Sequence, residues 1–332
     1  LNRFNFKYAK ATRKNSLGDI LRNHSFGVRI WLYGKSSDHQ GAVQFCEYQT
    51  LISAMLILAL NLCSHSALAS VPQAKDAEDP ERSAAKERYW LFDPVPETHL
   101  RSFHPDRPGS TNTPYTVDAG HVQLELELVN YSEQPSALVK NKNLNYPNPN
   151  FRLGVSNSIE VDVAFVPYVS QSDASGIGDL NLRLKKNLLG NDGGPFAWAL
   201  MPGVKLPTNT NGIGNSKYEP YLMIPFSVTL PGKWAISLMP EIDVRKNAAN
   251  GGSHTEFNSP YTIGHHLFSR FDGYAEFVTH SSNDANAVWT NYIGTGLTAR
   301  TSKNTQLDAG INFGLNSATA AYNPFAGFVY RY

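Results

Sequence analysis

His280 and Ser282 stand two residues apart in a stretch of alternating apolar and polar side chains. On a strand such residues share a face, so the imidazole can reach the hydroxyl and activate it as a nucleophile. Spacing assigns no acidic residue to orient the histidine, and Ser281-Ser282-Asn283-Asp284 also has ordinary loop chemistry. No catalytic residue is therefore assigned, and His280 with Ser282 is kept as an alternative. His265-His266 offers a metal pair, but adjacent strand residues point to opposite faces and cannot grip one ion. Gly176-Ile177-Gly178 lacks the third glycine and the strand-to-helix setting of a dinucleotide loop. No metal and no cofactor is expected.

The remaining chemical side chains are charges at every second position. Val122, Leu124, Leu126 and Leu128 alternate with Gln123, Glu125 and Glu127. Ile159 to Phe165 alternates around Glu160 and Asp162, and Leu180 to Leu184 around Asn181 and Arg183. Trp198 to Leu206, Leu222 to Leu230, Trp234 to Val244 and Leu307 to Leu315 repeat the pattern. A period of two predicts strands with one apolar and one polar face. About twelve such runs, most of about 9–11 residues, match tilted strands that cross a bilayer. The connections alternate in length. Long polar loops are expected at 132–150, 167–178, 207–218, 246–256, 281–287 and 317–323. Short links are expected at 157–158, 190–194, 231–232, 270–272 and 302–304. Transmembrane barrels have this asymmetry, with long outer loops and short periplasmic turns.

The fold expected is all-β: an antiparallel up-and-down transmembrane β-barrel of about 12 strands over residues 117–332. Its polar face lines the lumen. The expected solute-lining charges are Glu125, Glu127, Glu160, Asp162, Asp179, Arg183, Lys185, Lys205, Glu241, Asp243, Arg245, Arg300 and Asp308. They solvate the lumen and can pair across strands, and they can also select a solute. Tyr131, Phe151, Tyr168, Phe196, Trp234, Tyr261, Trp289 and Tyr322 cluster near run ends, as interfacial girdles do.

Composition agrees. A mean hydropathy of −0.33 is too polar for a bundle of apolar spanning helices, each of which needs about 20 apolar residues in a row. Charged residues make up 17% and aromatic residues 11%, and the net charge of +1 gives no footprint for nucleic acid. Leu51 to Cys63 is an uncharged run of signal-peptide length, followed by Ala67-Leu68-Ala69. Cleavage is expected before Ser70. The basic residues lie far upstream, between Arg3 and Lys35, which predicts a downstream translation start or an extended signal peptide. Cys46 and Cys63 fall in the part expected to be removed, which excludes a disulfide framework from the mature chain. Residues 70–116, rich in Pro and charge, are expected as a largely irregular periplasmic extension.

Gly327, Tyr330 and Tyr332 resemble the C-terminal signal read by the barrel-assembly machinery, with Phe325 departing from its usual polar first position. Asp106-Arg107-Pro108-Gly109, Thr113-Pro114-Tyr115 and Gly120 to Glu125 are followed by Gly176 to Leu180, Leu206-Pro207-Thr208, Gln306 to Gly310 and Phe313-Gly314-Leu315. In that order they resemble the outer-membrane family named for the meta-pathway of phenol degradation, a transporter-like β-barrel, across Asp106 to Tyr332. The resemblance implies a channel or facilitator for small hydrophobic or aromatic solutes, with outer-membrane lipid and lipopolysaccharide as surroundings. His280-Ser281-Ser282-Asn283 is similar to an arrangement in outer-membrane lipid hydrolases. A lipid deacylase is thus one alternative, and a structural or adhesive barrel is another.

Overall fold

The computed structural model describes residues 80–134, 141–146, 148–170, 175–214, 217–247, 251–284 and 287–332. The apolar run 51–63 and the expected cleavage site at Ala67, Ala69 and Ser70 lie outside the described residues. The chain forms a closed antiparallel barrel of 12 strands. Several are divided, so the segments are β1 (Val122–Gln134), β2 (Asn141–Tyr146), β3 (Asn148–Ser156), β4 (Ile159–Phe165), β5 (Tyr168–Ser170), β6 (Ser175–Gly176), β7 (Leu180–Leu189), β8 (Phe196–Leu206), β9 (Glu219–Met223), β10 (Phe226–Leu230), β11 (Trp234–Leu238), β12 (Glu241–Lys246), β13 (Ser253–Phe268), β14 (Phe271–Ser282), β15 (Thr290–Arg300), β16 (Thr305–Gly314) and β17 (Tyr322–Arg331). β1 pairs with β17, Leu124 opposite Tyr330 and Glu127 opposite Gly327. Closure leaves no edge, which is what a sheet needs where water cannot satisfy its backbone.

The alternation in the sequence sorts the faces. Leu184, Ile263, Leu297 and Leu307 are exposed on the outer face, as are the girdle residues Phe151, Tyr168, Phe196, Trp234 and Tyr322. Gln123, Glu125, Glu160, Asp162 and Lys185 are buried on the inner face. Short links and both barrel ends lie at one rim, the periplasmic one by the loop-length rule.

The structure differs from expectation in two places. The stretches expected as outer loops at 132–150 and 167–178 contain β2, β5 and β6 as well as the end of β1. Alternation fades there because both faces are wet beyond the lipid, yet ladder hydrogen bonds persist, such as the pairing of Tyr131 with Leu144. The second difference concerns where part of 70–116 lies. A short helix, α1 (Pro80–Lys86), falls within the stretch Asp76 to Arg88 whose sequence allows one, and a 3-10 turn (Glu97–His99) follows it. Residues 101–118 then form no helix or strand, and they bond to inward side chains of the wall instead of staying outside it. The polar side chains of this irregular segment are matched by charges inside the barrel.

A row of prolines also shapes the wall. β9 and β10 are interrupted before Pro225, and β11 and β12 before Pro240. Proline has no N–H to donate to a ladder. Ala199 N and Ile224 N instead donate to the carbonyls of Pro225 and Pro240.

Candidate functional site

The loop enters at the periplasmic rim. Tyr89, Val95 and Ala119 form a small apolar cluster there, with Leu100 packed against it. Lys86 Nζ lies 2.9 Å from both Asp118 and Asp192 carboxylates. Burial opposes ionisation of Asp192, but Arg101 and Lys86 outweigh it and hold its carboxyl below the ordinary range. Arg101 donates to Thr116 O and to Asn157 O, each at 2.9 Å, so it ties the ascending limb to the descending limb and to a periplasmic turn.

Higher up, wall and loop share one ionic network. Arg152 on β3 is completely buried. It donates to Glu125 at 2.9 Å and to Glu160 at 3.0 and 3.1 Å, and to the carbonyls of His104 and Tyr115 in the loop. Asp106 receives Lys185 Nζ at 3.0 Å, and its own N–H donates to Glu125 at 2.8 Å. Burial would raise the Asp106 carboxyl, but Arg152 and Lys185 hold it well below the usual carboxylate range. Asp106, Glu160 and Asp162 bring one oxygen each within 4.8 Å of the others, the spacing of a cation site. Arg152, Lys185 and Arg183 already stand among them, so the group reads as an ion-pair network.

Arg107 makes the next tie. Its Nη2 and Nε reach the two oxygens of Asp308 at 2.7 and 3.2 Å, and Nη1 reaches Glu127 at 3.2 Å. Gly327 lies between those carboxylates in the register, opposite both Asp308 and Glu127. A Cβ at Gly327 would strike both the Arg107 guanidinium and the Leu126 carbonyl, so the glycine makes room for the loop and for the close approach of β1. At the apex Ser110 donates from its N–H to Glu276 at 2.9 Å, and its hydroxyl bonds Tyr292 at 2.6 Å. Thr111 bonds Thr262 at 2.8 Å. The loop is thereby held to β1, β3, β4, β7 and β13 to β16, and it occupies the lumen as a plug.

Two cavities, each of about 300 Å³, flank the apex. The inner one touches Arg107, Gly109 and Thr111 and opens beside Lys233, His265, His266 and Asp272 at the periplasmic rim. The outer one touches Ser110 and Asn112 and is walled by Arg183, Tyr221, Met223, Met239, Glu241 and Arg245. Met201, Met223 and Met239 pack together there with Tyr221 as an apolar patch.

Each solute-lining charge predicted from alternation has a definite place. Glu125, Glu160, Asp162, Arg183 and Lys185 belong to the central network, and Glu127 and Asp308 hold Arg107. Arg300 donates to Phe103 O at 2.9 Å. Lys205 pairs with Glu219 at 2.6 Å, and Asp179 accepts from Asn209 of the outer loop. Arg245 reaches Glu219 and Asp243, and Glu241 borders the outer cavity. Arg152, Glu219 and Glu276 are missing from the predicted set. Each is one charge flanked by apolar or small neighbours, so the same alternation rule would have found Arg152 and Glu276. Asp106 and Arg107 carry no such signal, because the plug has no period.

His280 has the acidic partner that spacing could not assign. Its Nε2 lies 3.2 Å from Glu256, which also faces His254 Nε2 at 3.0 Å. Ser282, opposite Glu256 in the ladder, accepts the N–H of Asp284. Among the described residues no hydrogen bond joins His280 to Ser282, so the acid–base–nucleophile relay is not assembled. The His265 ring lies against Trp234 at a tilt of 57° and His266 meets Asp272 at 2.8 Å, so the pair share no ligand geometry.

The family model described as "Putative MetA-pathway of phenol degradation" matches residues 105–332. The chain belongs to this family. The matched part of this phenol-degradation family member starts within the ascending limb of the plug and runs through β17. Among solved structures, an outer-membrane channel from Pseudomonas putida F1 is 13% identical over 68% of this chain and 99% of that one, with a TM-score of 0.51. The NanC porin is 10% identical over 62% of this chain and 98% of that one, with a TM-score of 0.41. Among functionally curated proteins, none matches the sequence. The family match, the closed sheet and its apolar outer face make this an outer-membrane β-barrel.

Proposed function

We propose that the protein is an outer-membrane channel that passes small hydrophobic or aromatic solutes around a plug. The observation that carries this reading is the pair of cavities on opposite sides of one loop apex, Gly109 to Asn112. Both chambers lie against the same plug segment, which no strand ladder holds. An apolar cavity of about 150 Å³ accommodates benzene, so a single-ring solute fits either chamber. Met223, Met239 and Tyr221 give such a ring polarizable contacts in the outer chamber. Glu241 and Arg183 on the same wall supply an acceptor and a donor for one polar substituent. The family's name supports an aromatic solute.

The same reading includes export past the inner membrane, cleavage before Ser70, and assembly by the barrel machinery through Gly327, Tyr330 and Tyr332. Tyr330 and Tyr332 are exposed, where such a receptor can reach them. Uptake of a phenol-like solute should slow in cells lacking the protein and recover on complementation. Ser282→Ala should leave both uptake and the lipid composition unchanged. Loss of a lipid deacylase activity in Ser282→Ala would establish the hydrolase instead. Absence of conductance, uptake and hydrolysis together would leave a structural or adhesive barrel.

A further inference from the structure

Among the described residues of the segment before the barrel, Trp90 and Phe92 are the most exposed large apolar side chains, at 52% and 76%. They form an edge-to-face pair with ring centroids 4.9 Å apart. A tight turn presents them: Trp90 N donates to Asp93 O at 3.1 Å, and Asp93 N donates back to Trp90 O at 2.9 Å. That turn is fastened to the barrel wall. Leu91 N donates to Val155 O at 2.9 Å, and Trp90 is bridged to Ser156.

The register decides which way Trp90 faces. Cross-strand partners share a face of a sheet. A bulge at the end of β3 places Ser156 opposite Ile159. Ile159 lies in phase with Val161 and Val163, which alternate with the inward Glu160 and Asp162. Trp90 therefore continues the lipid-facing side of the wall, just beyond a periplasmic turn. Tyr89, one residue earlier, turns the other way into the apolar cluster beneath the lumen. Basic groups flank the pair. Lys186 pairs with Ile159 on the outer face and donates to Ser158, and Arg88 lies over the Tyr89 ring, exposed.

We propose that Trp90 and Phe92 form a foot embedded in the periplasmic leaflet of the outer membrane, with Arg88 and Lys186 meeting anionic phospholipid headgroups. Aromatic rings prefer this interfacial depth, and long basic side chains reach headgroups from it. The foot joins the polar plug to the membrane: Tyr89 and Val95 bracket it, and Val95 N bonds Ala119 O at the base of the descending limb. This inference does not depend on what the channel conducts.

The test uses the full chain in vesicles of phosphatidylcholine with or without phosphatidylglycerol. The difference in fluorescence between wild type and Trp90→Phe isolates the Trp90 signal. Lipid brominated near the headgroup should quench that signal more than lipid brominated near the chain end, and aqueous iodide should quench it little. Phosphatidylglycerol should increase the lipid quenching, and Arg88→Gln with Lys186→Gln should remove that increase. Quenching by iodide but not by brominated lipid would place Trp90 in water and overturn the proposal. Resistance to both would show a protein cover, such as residues of the preceding chain or a second copy, and would overturn it as well. Quenching unaffected by phosphatidylglycerol would remove the headgroup contact.

Discussion

Arg107→Ala should loosen the plug without unfolding the barrel. Arg107 gives Asp308 two hydrogen bonds, at 2.7 and 3.2 Å, and gives Glu127 a third at 3.2 Å. The Asp308 side chain is fully buried in this pair. Removing one partner of a buried ion pair costs about 3–5 kcal/mol, because the other charge is left without compensation. Water entering the lumen favours the lower end. At about 1.4 kcal/mol per factor of ten, 3 kcal/mol raises the undocked fraction of the plug roughly 150-fold. The wall ladders are untouched, so the protein should still migrate faster unheated than boiled on a denaturing gel. Single-channel recording in planar bilayers should show longer dwell in a higher-conductance state. Arg107→Lys should act alike but more weakly, since an ammonium cannot bridge Asp308 and Glu127 as the guanidinium fork does. Unchanged conductance in both variants, with the barrel intact, would refute the idea that this tie holds the plug.

Further outcomes follow from the same geometry. His104 stacks on Tyr115 at 4.0 Å; burial, then repulsion from Arg300, Arg101, Arg152 and Arg331, pushes its pKa down to about 3. A released plug would carry an ordinary histidine, near 6.5. The released form therefore binds more protons between those values, so docking weakens as pH falls below about 6.5 and is unaffected above it. Conductance should rise from pH 7 to pH 5, and His104→Gln should flatten that rise. Single cysteines at Asn211 and Asn283 should be labelled from outside intact cells and one at Lys303 should not; the inverse pattern would reverse the barrel.

The period of two determined most of the wall. Strand number, the order of long and short connections, and the inward phase of charges such as Glu125, Lys185 and Asp308 all follow from lipid on one side of each strand and polar groups on the other. That signal ends where the lipid ends, so β2, β5 and β6 have the sequence pattern of loops although their ladders continue. The plug was illegible for a related reason. Residues 101–118 are irregular, and an irregular polar segment looks the same in sequence whether its partners are water or buried charges. Arg152, Glu160 and Lys185 are neighbours on three consecutively paired strands, but only the passage of the plug into the lumen sets Asp106 among them, and only β16 and β17 side by side give Arg107 its carboxylate and its space. The local pattern of each strand fixes which side chains enter the lumen; which of them meet, and what fills the lumen, depends on contacts between residues two hundred or more positions apart, such as Arg107 and Asp308.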